Sequence, residues 1–451
     1  MIDGSDDAGK GSLDSPLRTD LTPIVEAVDA ADAVAFVAVG DRFDDDLRYL
    51  TRFSGPDRAY ALVVVPGADA ADRAVLCAPP QFREQAEREF VSGARTRDGN
   101  GGDGADGFHD GVAREVRTER TTDHAGERAA AVVRDLFGDE GEEGGQKEGE
   151  REDEENERGR EDDEHTLVVP PSIPHDAAVY LDRADNALAS TDAVERARSR
   201  KTDAEIDRLR RVQRAAVAGM ARAETVLAES EVVDGETESP HLRWEGSPLT
   251  TERLRRAVNA TLAARGVRDA GDTAIGAGRS AADRNFVGDD PIRPGETVLI
   301  DVSPRGPDGY RGNLTRTFVV GGDGGWERRA YLAVESAREA ALAEIEAGVP
   351  AKTVHGETAA ELAAYGFDPN AEEGEAGFTH GAGHGVGVSL HESPSLSGAG
   401  ELRPGHVVAV EPGVYDPNVG GIRLGDLVVV TDEGYEVLAE YPFGIVPTAR
   451  E

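Results

Sequence analysis

Short apolar runs separated by polar stretches dominate the first part of the chain. Val34 to Val39, Tyr60 to Val65, Ala74 to Cys77 and Leu167 to Val169 have the length and composition of buried strands. Gly126 to Leu136, between two of these runs, reads as a helix. Strands alternating with helices predict an α/β domain. Two segments interrupt the pattern. Residues 98–107 are rich in Gly and Asp, and residues 139–164 are almost wholly polar. Neither can bury enough apolar surface to order itself, so both are expected to be disordered insertions.

A different pattern begins near Thr202. Thr202 and Glu205 have the spacing of a capping box. Ile206, Leu209, Val212, Ala216, Met220, Ala223 and Leu227 then recur at helical spacing and predict one long helix with a single apolar stripe. Leu249 to Ala264 and Glu327 to Ala347 read as further helices, the latter ended by Gly348 and Pro350. Strands are expected at Thr297 to Val302, Thr315 to Val320, Val407 to Val410 and Leu427 to Val430. Helices and strands mix here without βαβ alternation, which predicts an α+β arrangement. The expected division is a smaller α/β domain at 1–195 and a larger domain at 196–451.

Charge changes the picture. The 451 residues carry a formal charge of −39. Of the 49 basic residues, four are lysine and 45 are arginine. The run 139–164 holds 15 acidic and 4 basic residues, yet the excess of acid extends along the whole chain. That spread suits an acidic surface kept soluble in a salt-rich, halophile-like cytoplasm, where a Debye length of about 3 Å at 1 M salt screens self-repulsion. A specific acidic tail is the competing reading. Nucleic acid is excluded as a partner because no basic face is in prospect. The single Cys77 lies in an apolar run, permits no intramolecular disulfide and reads as a buried strand residue. No apolar run is long enough to span a membrane, so no membrane partner is expected and the location is taken as cytoplasmic.

Four places gather residue types that bind metals or move protons. In ETVLIDVSPRGPDGYRGNLTRTF, Asp301 ends an apolar run and Asn313 precedes the next. A hairpin would bring both to one face; the plain alternative is two polar residues flanking a turn. In FTHGAGHGVGVSLHESP, His380, His384 and His391 fall within twelve residues, and the interleaved glycines exclude a regular helix. In GHVVAVEPGVY, Glu411 ends a strand before Pro412 and Gly413. In GGIRLGDLVVV, Arg423 lies just before a buried strand, and its plain alternative is a rim ion pair.

The order and spacing of these motifs resemble the pita-bread family of aminopeptidase P, prolidase, creatinase and methionine aminopeptidase, over roughly residues 202–447. The stretch DLRYLTRFSGPDRAYALVVVP more weakly resembles the creatinase-type N-terminal domain, which favours the proline-directed branch. The resemblance implies a C-terminal pita-bread fold. It makes Asp301, His384 and Glu411 metal ligands. It makes His391 a residue at the substrate carbonyl and Arg423 the support of the aspartate. His380 joins His391 and Arg423 as a candidate catalytic residue.

Three positions depart from the pattern. Asn313 stands where the family has its second aspartate, and Gly425 where it has its last glutamate. Arg284 and Asn285 replace a Pro-His pair. A complete site sets four carboxylates against two divalent ions; here Asp301 and Glu411 alone remain. Asn313 offers a neutral oxygen, and Asp426 beside Gly425 points to the other face of a regular strand. Two cations held close would repel strongly, so a dinuclear centre is not expected. What remains expected is one divalent ion at most (manganese, zinc, cobalt or iron) at Asp301, His384 and Glu411, with Asn313 a possible fourth donor. The implied function is hydrolysis of an N-terminal peptide bond before proline, on peptides with proline second, by a chain that family resemblance makes a homodimer. The alternatives are a degenerate member that binds a peptide or a partner, and, last, creatinase-like metal-free amidinohydrolysis.

Overall fold

The computed structural model describes residues 17–67, 71–91, 110–118, 123–137, 165–184, 186–233, 240–322 and 324–450. Both expected insertions, 98–107 and 139–164, lie outside these residues. The chain divides into two compact units with the boundary between Ala197 and Arg198.

The first unit is built on one sheet. Its strands are β1 (Ala35–Gly40), β2 (Tyr60–Val65), β3 (Arg73–Cys77), β4 (Ala113–Arg117), β5 (His165–Val169) and β6 (Asn186–Ser190), in spatial order β4-β3-β2-β1-β5-β6. β1–β2 and β2–β3 pair antiparallel, while β3–β4, β1–β5 and β5–β6 pair parallel. Every residue of β1 and β2 is buried, which is why these strands read as unbroken apolar runs rather than alternating ones. The helix Ala125–Phe137 covers one face with Ala129, Val132 and Val133. Cys77 is buried. β4 is half-exposed and largely polar, and β6 has only three apolar residues, all half-exposed, so no long apolar run announces either.

The second unit opens with the helix Asp203–Ala228. The Thr202 hydroxyl accepts from the Glu205 backbone N–H, and the Glu205 carboxylate accepts from the Thr202 backbone N–H at 2.8 Å, completing the capping box. All seven predicted stripe residues are buried. Those from Val212 onward pack on the helix Thr251–Ala264 and on the sheet of β10 (Thr273–Ala277), β11 (Thr297–Val302) and β12 (Leu314–Val319). A small ribbon of β7 (Glu231–Val233), β8 (His241–Trp244) and β9 (Ser247–Pro248) precedes them.

A second core lies under the remaining strands: β13 (Gly383–Gly385), β14 (Glu392–Ser395), β15 (Val407–Val410), the β16 (Gly413–Asp416) and β17 (Gly420–Arg423) ribbon, β18 (Asp426–Thr431) and β19 (Gly434–Val437). Its five-stranded sheet runs β14-β13-β15-β18-β19. The helices Trp326–Ala343 and Ala351–Ala364 back it. The first of these stops short of the expected Ala347. The second was not foreseen: its alanines and threonines bury Ala351, Val354, Thr358 and Leu362 without forming a strong apolar stripe. The two sheets are joined by the backbone pair Thr315–Gly425, whose N–H and C=O groups bond mutually at 2.9 and 3.1 Å.

Buried ion clusters brace this unit. Glu392 is paired with Arg198 and Lys201, each at 3.0 Å. Arg316 is 1% exposed and bonds Asp426 at 2.7 Å, and Arg338 takes the other oxygen of Asp426. Among the described residues no helix is long and apolar enough to cross a membrane.

His406, just before β15, is buried, accepts from the Arg403 N–H at 3.1 Å and faces Lys201, Arg200 and Arg403. Burial and then these cations lower its pKa to about 4. The unfolded chain therefore takes up a proton below its ordinary value of 6.5 that the folded chain refuses until about pH 4. Stability is full above that ordinary value and falls as pH drops through the window. The urea midpoint should decline from pH 7 to 5, with His406 contributing about 2 kcal/mol at most. His406→Gln should flatten that decline; an unchanged slope would show that other groups govern it.

Candidate functional site

β11 is buried along its length except at Asp301. The β11–β12 register sets Asp301 opposite Thr315 and Val302 opposite Leu314, so the hairpin foreseen from sequence forms. Ser303 lies two residues beyond Asp301, on the same face. Its hydroxyl donates to Asp301 Oδ1 at 3.1 Å and accepts from Asn313 Nδ2 at 3.4 Å. Asn313 sits just before β12 and is held by the long helix. Gln213 accepts from its N–H at 2.8 Å and donates to its carbonyl at 2.7 Å. The Asn313 Oδ1 atom is buried without a hydrogen-bond partner.

His384 is the central residue of β13. Gly383 and Gly385 flank it because a Cβ at either would overlap a carbonyl oxygen, that of Ala409 or that of Ser393. The His384 Nδ1 faces the Gly385 carbonyl at 3.0 Å. An N–H there leaves Nε2 as the outward nitrogen, 3.4 Å from Glu411 Oε1. Glu411 follows β15 and is 8% exposed. Burial opposes its ionisation, but His384 and then Arg423 prevail and hold its pKa at about 2. For His384 burial works against protonation, and its bond to Glu411 and the nearby charge raise its pKa.

Arg423, at the end of β17, donates to Asp301 Oδ2. Its backbone is fixed by Thr317, which accepts from its N–H at 3.0 Å and donates to its carbonyl at 3.1 Å. Burial would weaken the guanidinium charge, but Asp301, Tyr415 and Glu411 more than restore it. Burial pushes the Asp301 carboxyl up and Glu411 adds to the effect, against Arg423. The pocket thus holds more negative charge than Arg423 alone offsets.

His391 is exposed, with its ring 4.3 Å from that of His384. Partial loss of water against the protein surface, and then His384, lower its pKa. His380 is committed at both nitrogens, to the Gly381 carbonyl at 2.7 Å and to Tyr415 Oη at 2.9 Å. Burial lowers its pKa to about 4 and raises that of Tyr415 to about 12. Tyr415, Ser303 and Gln213 belong to this arrangement and were not picked out from sequence. Tyr415 stood in the EPGVY motif, but nothing in spacing marked its hydroxyl. Ser303 and Gln213 gave no signal at all.

The structure brings Asp301, Asn313, His384, Glu411 and Arg423 into one buried region. Asp426 is elsewhere, spent on Arg316 and Arg338. Gly425 has an ordinary backbone, and a Cβ there would meet Thr315 and the Glu411 Cβ at 3.1–3.2 Å. These positions thus offer two carboxylates, one imidazole and one amide oxygen. His384 presents the nitrogen of a ligand tautomer to a carboxylate, and Asn313 Oδ1 is buried without a hydrogen-bond partner. Asp301 has its oxygens on Arg423 and Ser303. Among the described residues no group of three or more His, Cys, Asp or Glu side chains is gathered as a ready-made metal cluster.

The model of metallopeptidase family M24 matches residues 207–432. The chain belongs to metallopeptidase family M24. A Xaa-Pro dipeptidase from Pyrococcus horikoshii is 35% identical over 172 residues, 38% of this chain and 47% of that protein. The chain spans about half the length of the curated relatives it matches. Among solved structures, a Xaa-Pro dipeptidase from Bacillus anthracis superposes with a TM-score of 0.70 at 20% identity, covering 95% of this chain and 98% of that one. The prolidase from Pyrococcus furiosus gives 0.69 at 20% identity, covering 93% and 100%. The fold is thus the pita-bread fold preceded by an N-terminal α/β domain, as the motifs implied.

Gly425→Ala is expected to lower the unfolding free energy by about 1–3 kcal/mol, because Thr315 and Glu411 must yield to the new methyl. Urea denaturation at pH 7 checks this; an unchanged midpoint would mean that the joint between the sheets is slack.

Proposed function

We propose that this chain is a Xaa-Pro peptidase that cleaves an N-terminal peptide bond before proline with the help of one divalent ion. Asp301, His384 and Glu411 would hold the ion, with Asn313 a neutral neighbour. The observation that carries this reading is His384: its Nδ1 is tied to the Gly385 carbonyl and its Nε2 is turned to Glu411 at 3.4 Å. When bound, such an ion polarises a carbonyl and lowers the pKa of water. Arg423 opposes protonation of Asp301 and holds it in place. His391, exposed beside His384, is placed to exchange a proton with the substrate. Tyr415 and the neutral His380 hold each other through one hydrogen bond and shape the wall of the site. The family points to a divalent metal; its number and identity in this chain are part of the proposal, as is the peptide substrate.

A second reading rests on a specific observation. Arg423 and His384 already pair with Asp301 and Glu411, so the pocket is stable as an ion-paired site that binds a peptide without cleaving it.

Elemental analysis of the purified protein is expected to give about one divalent ion per chain. Glu411→Ala should lose that ion and bring hydrolysis of alanyl-proline to background, while circular dichroism stays unchanged. No ion and no turnover in the parent protein would reject the hydrolase and leave the binding reading. Two ions per chain would reject the single-ion site.

A further inference from the structure

A cavity of about 550 Å³ lies against the helix Thr251–Ala264 and contains none of the residues of the buried site. The helix turns Leu254, Val258 and Leu262 into the core. A neighbouring face, with Arg253, Arg256 and Ala260 at helical spacing, lines the cavity. Arg222 of the helix Asp203–Ala228, Trp244 of β8 and Arg265 join it. The volume falls in the range of small-molecule pockets.

Charge sets this cavity apart. Its lining holds four arginines and one acid, Glu245, in a chain whose acids outnumber its bases 88 to 49. The indole of Trp244 is fixed by donating to Glu229 at 3.2 Å. The Arg222 and Arg253 guanidiniums stand 5.1 and 4.8 Å from its ring centre, so one aromatic plate positions two cations. Arg253 is pinned further by the carbonyls of Trp244 and Ser247, which accept at 2.6 and 2.8 Å. Arg256 lies 3.6 Å from Glu252, a carboxylate it shares with Arg255. Among the described residues, the guanidiniums of Arg222 and Arg265 make no ion pair or hydrogen bond. Acids are abundant in this chain, yet none is spent on these two.

An arginine fork binds an oxyanion with two parallel hydrogen bonds. Four arginines against one acid leave an excess of three positive charges. That excess suits an anion that packs several negative charges into a small volume, as phosphate groups do. The chain as a whole, at −39, repels extended polyanions such as nucleic acid or an anionic membrane, so the occupant is small.

We infer that this cavity is a binding site for a small soluble compound carrying two or more phosphate groups, held by Arg222, Arg256 and Arg265 against the plate of Trp244. Its occupancy does not depend on the peptidase reading.

The test is calorimetric titration of sodium pyrophosphate into the full-length protein, at constant ionic strength. Saturable binding is expected, about tenfold or more tighter than that of acetate. Arg222→Gln and Arg265→Gln should each weaken it about tenfold, the loss of one charged hydrogen-bonded contact. Arg265→Gln should keep the parent's urea midpoint, because the side chain has no partner to lose, and Arg265→Lys should retain part of the affinity. Glu411→Ala should bind pyrophosphate as the parent does, which separates this cavity from any anion drawn to a metal ion. No saturation, an affinity equal to that of acetate, undiminished binding in both arginine-to-glutamine variants, or loss of binding in Glu411→Ala would each overturn the assignment.

Discussion

The site depends on balancing negative charge in a place with little water. Asp301 and Glu411 are drawn under the surface by strands that are otherwise mainly apolar, and each carboxylate loses hydration by going there. Arg423 and His384 are what make this tolerable. Arg423 is itself held by Thr317 on the neighbouring sheet, and His384 by glycines that let its strand lie close to β14 and β15. The packing of two sheets and the charge balance of two carboxylates are therefore one problem. A shift of either sheet would separate a buried charge from its partner.

The same balance explains why the missing carboxylates matter. With Asn313 and Gly425 in place, the remaining charges nearly compensate one another from within the protein. Two more carboxylates would have made the pocket depend on external cations. The one ion proposed above would relieve the residual excess around Asp301 and Glu411. The loss at position 425 also has a packing side, because Thr315 and the Glu411 Cβ have closed around the glycine.

Much of this was legible in the sequence, for identifiable reasons. The long helix announced itself through Thr202, Glu205 and an unbroken apolar stripe. The hairpin did so through two apolar runs around a Gly/Pro turn. The metal-type residues stood out because histidines and acids are rare at strand ends flanked by glycine. Other parts were silent. The edge strand Ala113–Arg117 is mostly polar, and Asn186–Ser190 has only three apolar residues between Asn and Ser. The helix Ala351–Ala364 packs with small residues and shows little periodicity. Gln213 and Ser303 look like ordinary polar residues on a helix and in a turn, and only the folded chain brings them to Asn313 and Asp301. The pairing of Asp426 with Arg316 and Arg338 was likewise hidden, since the partners lie 110 and 88 residues away.

That last cluster limits how the chain can change. Asp426 sits one residue from the position where a carboxylate is absent, and a slip of one residue in β18 would carry it there. The slip would strip Arg316 and Arg338 of their counter-charge and break the backbone pair between Thr315 and Gly425. It would also exchange the two buried faces of β18, putting each of its valines where a neighbour now packs. The nearest carboxylate in sequence is thus the least available in practice. A carboxylate at this place would have to come by substitution at 425 itself, together with room made at Thr315.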